Sequence, residues 1–373
     1  MGWGFFPLDR RLRLRRDSWT ERLVELAARL ATTQPSFQMA AETLAELTRV
    51  GISKMTVWRH HKEVASQVEV ELETEEQEVP AWVLWKDVEG MAWIQARDPI
   101  EGHVSVSIDG STVPIRGEGY REVKMVSTSE VVAEPTQTEI CEAEQAEGQR
   151  QEGSPGGSGG RVCGRQDGLK LRRHGYRAVL GDKETFATAL KVELARRRVQ
   201  DANQITTVND GADWIWDLAQ RYLPSRRVEV LDWPHALQNL AKAANAAFGE
   251  GSEEARTWLD QRETDLWNGE RMQVDIALHN LPRRYKERGQ AIRQVIGYID
   301  AHWPRLCYAD FRAEDRPIGS GTVESAAKNV VAWRMKRGGQ SWSREGATRM
   351  LAALGEVHSK RWSATHKRFA RAA

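Results

Sequence analysis

Sulfur and net charge are the two things this chain has least of. Of its 373 residues only Cys141, Cys163 and Cys307 are cysteines, and no two form a C-x-x-C pair. That spacing argues against a disulfide framework or a zinc ribbon and suits a reducing compartment. The 54 Lys and Arg almost cancel the 53 Asp and Glu, leaving a formal charge of +1, so no global field announces a polyanionic partner. No apolar run approaches the roughly 20 residues that span a bilayer, and the N-terminus shows no signal-peptide core. A cytoplasmic globular protein is expected. Its 40% hydrophobic and 29% charged content fits that class, and its length allows two or three domains.

What charge there is comes in blocks. RRLRLRR near the start, the stretch from Trp333 to Trp342, SKRW and HKRFARAA are basic, whereas ELETEEQE and EICEAEQAE are acidic. Such runs are either solvated faces or phosphate-binding arms. Most of the fifteen tryptophans should fill cores. Trp333 and Trp342, set among Arg334, Lys336 and Arg337, are instead candidates for base stacking or backbone contact.

Residues 18–66 read as a small helical domain. Ala40, Leu44, Leu47 and Val50 recur at helical spacing, TRVGIS supplies a glycine-containing turn, and Ser53 can cap a helix through KMTVWRHHKEVA. This is helix-turn-helix grammar, although many helical hairpins with a glycine turn bind nothing. The second helix is expected to expose Lys54, Thr56, Arg59 and His60 while Val57 turns inward with Ile52. These assignments give an N-terminal helix-turn-helix DNA-binding domain over 1–67. The Glu-rich stretch that follows reads as a linker or mobile helix, over 68–98.

Alternation then changes to period two. Val104, Val106 and Ile108 oppose Ser105, Ser107 and Asp109, a half-buried strand that Asp109-Gly110 is expected to end in a turn. YREVKMV and YRAVL read as two further strands. Between them, the Gly- and Ser-rich tract at about 134–168 is expected to be a disordered loop. A helix over 182–199, a strand at 205–208 running into Asn209-Asp210-Gly211, a helix carrying Ile215, Leu218, Ala219 and Tyr222, and a strand ending at Asp232 complete the pattern. Pro234 can open the next helix. Three strands, helix, strand, helix, strand is an α/β order and the topology of an RNase H-like sheet, here a core beginning at 99–235. An all-helical insertion follows over 236–316. A last helix and basic arm over 317–373 should start with a hydroxyl cap near Gly319–Thr322 and bury Val323, Ala326, Ala327, Val330 and Val331.

Three acids stand at ends of these elements: Asp109, Asp210 and Glu324. Carboxylates gathered there commonly hold Mg²⁺, and two such ions about 3.5–4 Å apart can serve phosphodiester cleavage and strand transfer. Taken singly, each has an ordinary structural use: Asp210 before Gly211 can make a turn, and Glu324 can pair with Lys328 four residues on.

GFFPLDRRLRL, VSIDGSTVPIR, REVK, NDGADWIW, LDWPHALQNL and IGSGTVESAAKNVVAWRMKRGGQSWS, in that order, resemble a transposase of the Mutator-related group of bacterial insertion sequences, the ISKra type. The resemblance covers most of the chain outside the Gly-rich tract and the helical insertion. It implies a DDE transposase: Asp109, Asp210 and Glu324 as metal ligands for Mg²⁺, with Mn²⁺ able to substitute, and Asp232 and His235 as a D-x-x-H signature whose His assists near the active site. It further implies double-stranded DNA as partner, at transposon ends and target, and a homodimer or higher oligomer on DNA. A DNA-binding regulator that has lost catalysis, or a nuclease without strand transfer, would use subsets of the same residues. One departure is MLAALGEVHSKRW, where the resemblance leads us to expect a basic residue at or near Gly355.

Overall fold

The computed structural model describes residues 14–15, 19–78, 98–133, 168–284 and 289–365. Residues 134–167 of the expected disordered loop, 79–97 of the linker expected over 68–98, most of the basic run at 10–16, and HKRFARAA lie outside the described residues.

Three helices come first: α1 (Glu21–Thr33), α2 (Phe37–Thr48) and α3 (Lys54–Glu78). Thr20 and Ser36 cap the first two by accepting from the amides of Leu23 and Met39. Ala27, Ala31, Ala40 and Ala41 are small enough to let the helices close around Leu44 and Val57. The apolar stripe read from spacing stops at Leu44, because α2 ends at Thr48 and Arg49 turns left-handed at φ 56°. Leu47 and Val50 are consequently exposed. The Glu-rich stretch, read as a linker or mobile helix, begins as helix. α3 continues unbroken through the Glu-rich stretch to Glu78, with Val68 and Leu72 buried at one-turn spacing.

Five strands form one mixed sheet: β1 (His103–Ile115), β2 (Gly119–Ala133), β3 (Leu169–Leu180), β4 (Gln204–Asn209) and β5 (Val228–Leu231), in the order β3-β2-β1-β4-β5. β2 pairs antiparallel with β1 and β3, while β1, β4 and β5 run parallel. The protein is α/β with a mixed sheet. Asp109-Gly110 does not end β1, which pairs with β2 through all thirteen of its residues, from His103↔Val131 to Ile115↔Gly119. The hairpin turns later, where Gly117 and Gly119 adopt φ 77° and 74°, a region open to glycine without strain.

Helices cover both faces. α4 (Lys183–Arg196) and α5 (Asp213–Tyr222) set Phe186, Leu190, Ile215 and Leu218 against Val104, Val106, Ile108 and Ile205. Beyond β5 come α6 (Trp233–Phe248), α7 (Glu253–Trp267), α8 (Arg271–Arg284), α9 (Gly289–Ala301) and α10 (Tyr308–Ala313), whose apolar sides meet Val208, Val230 and Leu231. The chain then returns through α11 (Gly321–Ser325), a π-helical stretch at Ala326–Ala332, and a final turn at Trp333–Met335, before α12 (Arg344–His358). These segments pack Val323, Val331, Met350 and Leu354 against Val113, Val123 and Met125 on the second face.

Buried ion pairs join the layers. Arg196 of α4 donates to Glu75 of α3 and to Glu356 of α12, each at 2.8 Å, and Arg361 meets Glu193 at 2.9 Å. Burial alone would raise the Glu193 carboxyl, but Arg361, with Arg196 and Arg197, holds it below its ordinary value.

Candidate active site

The parallel half of the sheet sets the geometry. β1, β4 and β5 point their carboxyl ends the same way, and the β1–β4 pairing stops at Val106↔Thr207. Beyond that point a crevice opens where the strand order reverses direction around β1, a place where α/β sheets bind ligands. Asp109 lies on β1 past the last paired residue, Asp210 follows β4, and Asp232 follows β5.

Asn209, which the sequence reading left out, holds the first two acids in register. Its fully buried side chain accepts from the Ile108 amide at 2.7 Å and donates to Thr207 Oγ1 at 2.8 Å. One side-chain amide thereby extends the β1–β4 contact to the residues just before Asp109 and Asp210. Asp210 then accepts from the Ala212 amide at 3.0 Å, shaping the turn into α5.

Asp232 organises the other wall. It is completely buried, and both of its oxygens are engaged: Oδ2 accepts from the His235 amide at 3.1 Å and from His235 Nδ1 at 2.6 Å, and Oδ1 accepts from the Ser320 amide at 2.5 Å. The Trp233 amide adds a bond to Ile318 O at 2.9 Å. Asp232 therefore caps α6, orients His235 and fastens the approach to α11, which carries Glu324. The expected hydroxyl cap is absent there, since the Ser320 side chain makes no cap bond.

Asp109, Asp210, His235 and Glu324 line one cleft of 170 Å³, with Ala327 and Lys328 beside them. Ala327, expected in the buried stripe, is half-exposed because the π-helical stretch that starts at Ala326 changes the helical register directly after Glu324. Burial, together with the charges of Asp210 and Glu324, pushes the Asp109 carboxyl up to about 6 despite the Gly110 amide and the His235 ring. The hydrogen bond to Asp232 raises His235, aided by the charges of Asp232, Asp210 and Glu324.

As a donor set, three carboxylates facing one opening suit a hard divalent ion. The ligand atoms that fall within 4.8 Å of one another here are those of Asp232, His235 and Glu324. We regard Asp232 as the support of this group, because its oxygens are already spent. Two ions about 4 Å apart, each with outer ligands, do not require all three open carboxylates to touch. Asp275, His279 and Asp300 form a second such group, on α8 and α9, away from the cleft.

The helical segment between β5 and α11 also reaches this site. A Cβ built on Gly211 would lie 2.2–2.4 Å from two ring carbons and the hydroxyl oxygen of Tyr298 in α9, and His302 Nε2 stands 3.2 Å from Gly211 O. Burial and the charges of Asp210 and Asp232 push the Tyr298 hydroxyl up to about 12, so it stays protonated beside the acids.

The residues proposed for nucleic-acid contact divide. Lys54 and Arg59 are exposed on α3, and Ser53 caps that helix by accepting from the Thr56 amide at 3.1 Å, its hydroxyl 3.0 Å from that of half-buried Thr56. His60 is buried, its ring 4.3 Å from that of Trp19. Trp333 is exposed beneath the Arg337 guanidinium at 4.3 Å, and exposed Lys336 bonds Ser111 Oγ at 2.9 Å. Arg334 is 1% exposed, donates to Ala31 O at 3.0 Å and Pro35 O at 3.4 Å, and lies between the rings of Phe37 and Trp342. Trp342 is half-buried and spends its ring N–H on Met335 O at 3.2 Å. His60, Arg334 and Trp342 are thus packing residues where surface contacts were expected; the basic run was read as an arm, and the helix it lies on is packed against α1 and α2. Compared with protein-family models and with curated proteins, the chain matches none.

Proposed function

We propose that this chain is a DDE transposase of the ISKra type, with an RNase H-like core interrupted by the all-helical insertion of α6 to α10 and preceded by a helix-turn-helix unit in α2 and α3. The observation that carries the reading is the meeting of Asp109, Asp210, His235 and Glu324 in one cleft beside the parallel strands β1, β4 and β5 of a mixed sheet in the order β3-β2-β1-β4-β5. The three acids, 101 to 215 positions apart in sequence, converge there, which single-residue turn or cap roles do not require.

Asp109, Asp210 and Glu324 are the residues that would hold Mg²⁺, which when bound activates an attacking oxygen and stabilises a leaving one. His235 has its Nδ1 committed to Asp232, which leaves Nε2 for a phosphate oxygen. Its raised pKa favours the imidazolium, a charged donor suited to a developing oxyanion. Exposed Lys328 at the cleft and Lys54, Arg59 and Arg337 farther out supply salt-sensitive grip on DNA backbone. The partners are transposon-end and target duplexes, bound by an oligomer in the bacterial nucleoid.

The test is cleavage and joining of DNA carrying the ends that flank the gene. Wild type should nick and join, and Glu324→Gln should lose both by at least a hundredfold while keeping end binding. Full activity in Glu324→Gln would refute the site. Nicking without joining by the wild type would favour the nuclease reading.

A further inference from the structure

A second cavity, of 470 Å³, lies away from the carboxylates, between α3 and the segment that joins the turn at Trp333–Met335 to α12. This volume is within the range of small-molecule sites. The segment is held as an extra edge beside the end of β1: Trp342 N donates to Pro114 O at 3.1 Å and Arg116 N to Trp342 O at 2.8 Å. Asp109 to Arg116 spans seven strand residues, roughly 23 Å, so the cavity is well separated from the cleft.

Three polar atoms of its lining side chains are unspent. Arg334 Nη2, His61 Nε2 and Gln340 Oε1 are buried atoms with no hydrogen-bond partner among the described residues, and all three side chains line this one cavity. Arg334 is 1% and His61 4% exposed. Buried polar atoms are rarely left unpaired without a reason such as a missing ligand or water. The orientation of Gln340 is fixed, because its Nε2 donates to Pro35 O at 2.8 Å, which leaves the oxygen facing inward. Burial and the nearby Arg334 lower His61 to about 3, so the ring is neutral at physiological pH.

The wall chemistry narrows the ligand. Trp58, Phe37 and Trp342 are aromatic, and Lys62 and Arg116 are cations of the lining; Lys62 Nζ stands 5.6 Å over the Trp58 ring. A bare anion would need donors only and would meet repulsion from Gln340 Oε1 and Glu345. A planar heteroaromatic group bearing both acceptors and donors, with a phosphate attached, matches the lining's mixture of donors, an amide oxygen, aromatic rings and cations. We infer that this cavity holds a single nucleotide, its base against Arg334, Gln340 and His61 and its phosphate toward Lys62 and Arg116. Stacking on aromatic and guanidinium planes is how proteins hold unpaired bases. The nucleotide can come from solution or from a base turned out of bound duplex. The inference does not depend on the carboxylate cleft being catalytic.

Two arms test it with the full chain. In the first, dAMP, dGMP, dCMP and TMP are titrated calorimetrically beside deoxyribose 5-phosphate and inorganic phosphate. At least one nucleotide should bind tenfold or more tighter than deoxyribose 5-phosphate, and Gln340→Leu should weaken it at least fivefold. Trp58→Ala, at a side chain 38% exposed and therefore tolerant of truncation, should do the same. In the second arm, 2-aminopurine is stepped along a bound duplex. Brightening at one position in wild type, lost in Trp58→Ala, identifies DNA as the source, whereas nucleotide binding without brightening identifies the free nucleotide. Deoxyribose 5-phosphate binding as tightly as every nucleotide would overturn the inference, as would absence of signal in both arms. If the chain binds no DNA at all, the transposase reading fails and the first arm still decides this one.

Discussion

Gly211→Ala probes how the helical segment supports the cleft. The built Cβ falls 2.2–2.4 Å from two ring carbons and the hydroxyl oxygen of Tyr298, distances that real packing does not tolerate. Overpacking of this kind costs about 1–3 kcal/mol, against the ~0.4–1 kcal/mol that Gly→Ala returns where nothing clashes. Either Tyr298 moves, disturbing α9, or the turn moves and carries Asp210 with it. A displacement near 1 Å at a reacting group can cost on the order of a hundredfold in rate. Gly211→Ala should therefore lose about 1–3 kcal/mol in denaturant unfolding and on the order of a hundredfold in DNA cleavage. Tyr298→Ala removes the obstacle, so the double variant should recover most of the loss caused by Gly211→Ala, a coupling of about 1 kcal/mol or more. A cycle that is additive, or a Gly211→Ala protein as stable and active as wild type, would refute the argument.

The buried His61 ties stability to acid. Its folded value of about 3 lies below the ordinary 6.5, so the unfolded chain binds the extra proton, and stability present above pH 6.5 is lost as pH falls toward 3. The loss reaches roughly 2 kcal/mol at pH 5, at about 1.4 kcal/mol per pH unit; His61→Leu should flatten that slope in denaturation curves by about one proton, and an unchanged slope would place the titration elsewhere. Gly355→Arg should destabilise by at least ~1–3 kcal/mol, because a Cβ there already meets Tyr176 O at 3.0 Å; thermal unfolding would show it. Arg334→Ala removes the side-chain donor to the Ala31 carbonyl and empties the space between Phe37 and Trp342, and should cost roughly 2–4 kcal/mol, whereas exposed Arg337→Ala should leave unfolding nearly unchanged. In a salt titration of DNA affinity, Arg337→Ala should reduce the slope by about one.

The strands and their chain order were legible because each strand alternates or ends in a recognisable turn, and the acids stood out because the pattern sets them at the ends of expected strands or in the first turn of an expected helix, although Asp109 lies within β1. What the pattern concealed was pairing. Asp109-Gly110 has the residues of a turn, yet the alternation resumes at Val113 and Ile115, and thirteen cross-strand pairs outweigh one local preference. Glu75 looks like part of a solvated run until Arg196 faces it, a partner 121 residues away. The Gly355 position reads as a missing cation, whereas β3 crowds it, since a Cβ there would stand 3.0 Å from Tyr176 O. Arg334 belongs to a basic motif by composition and to a core by location. Asn209 offers no signal in sequence, since only the register of β1 against β4 makes its amide useful.

One consequence of the unbroken α3 concerns distance. A helix of 25 residues is a strut of about 37 Å, with exposed Lys54 and Arg59 at one end and the ion-paired Glu75 near the other. A duplex seated on the first end would stand at a fixed offset and rotation from the scissile position. The protein would measure along its substrate with a rigid gauge, in increments of helical turns, where a tethered reader would sample a range of lengths.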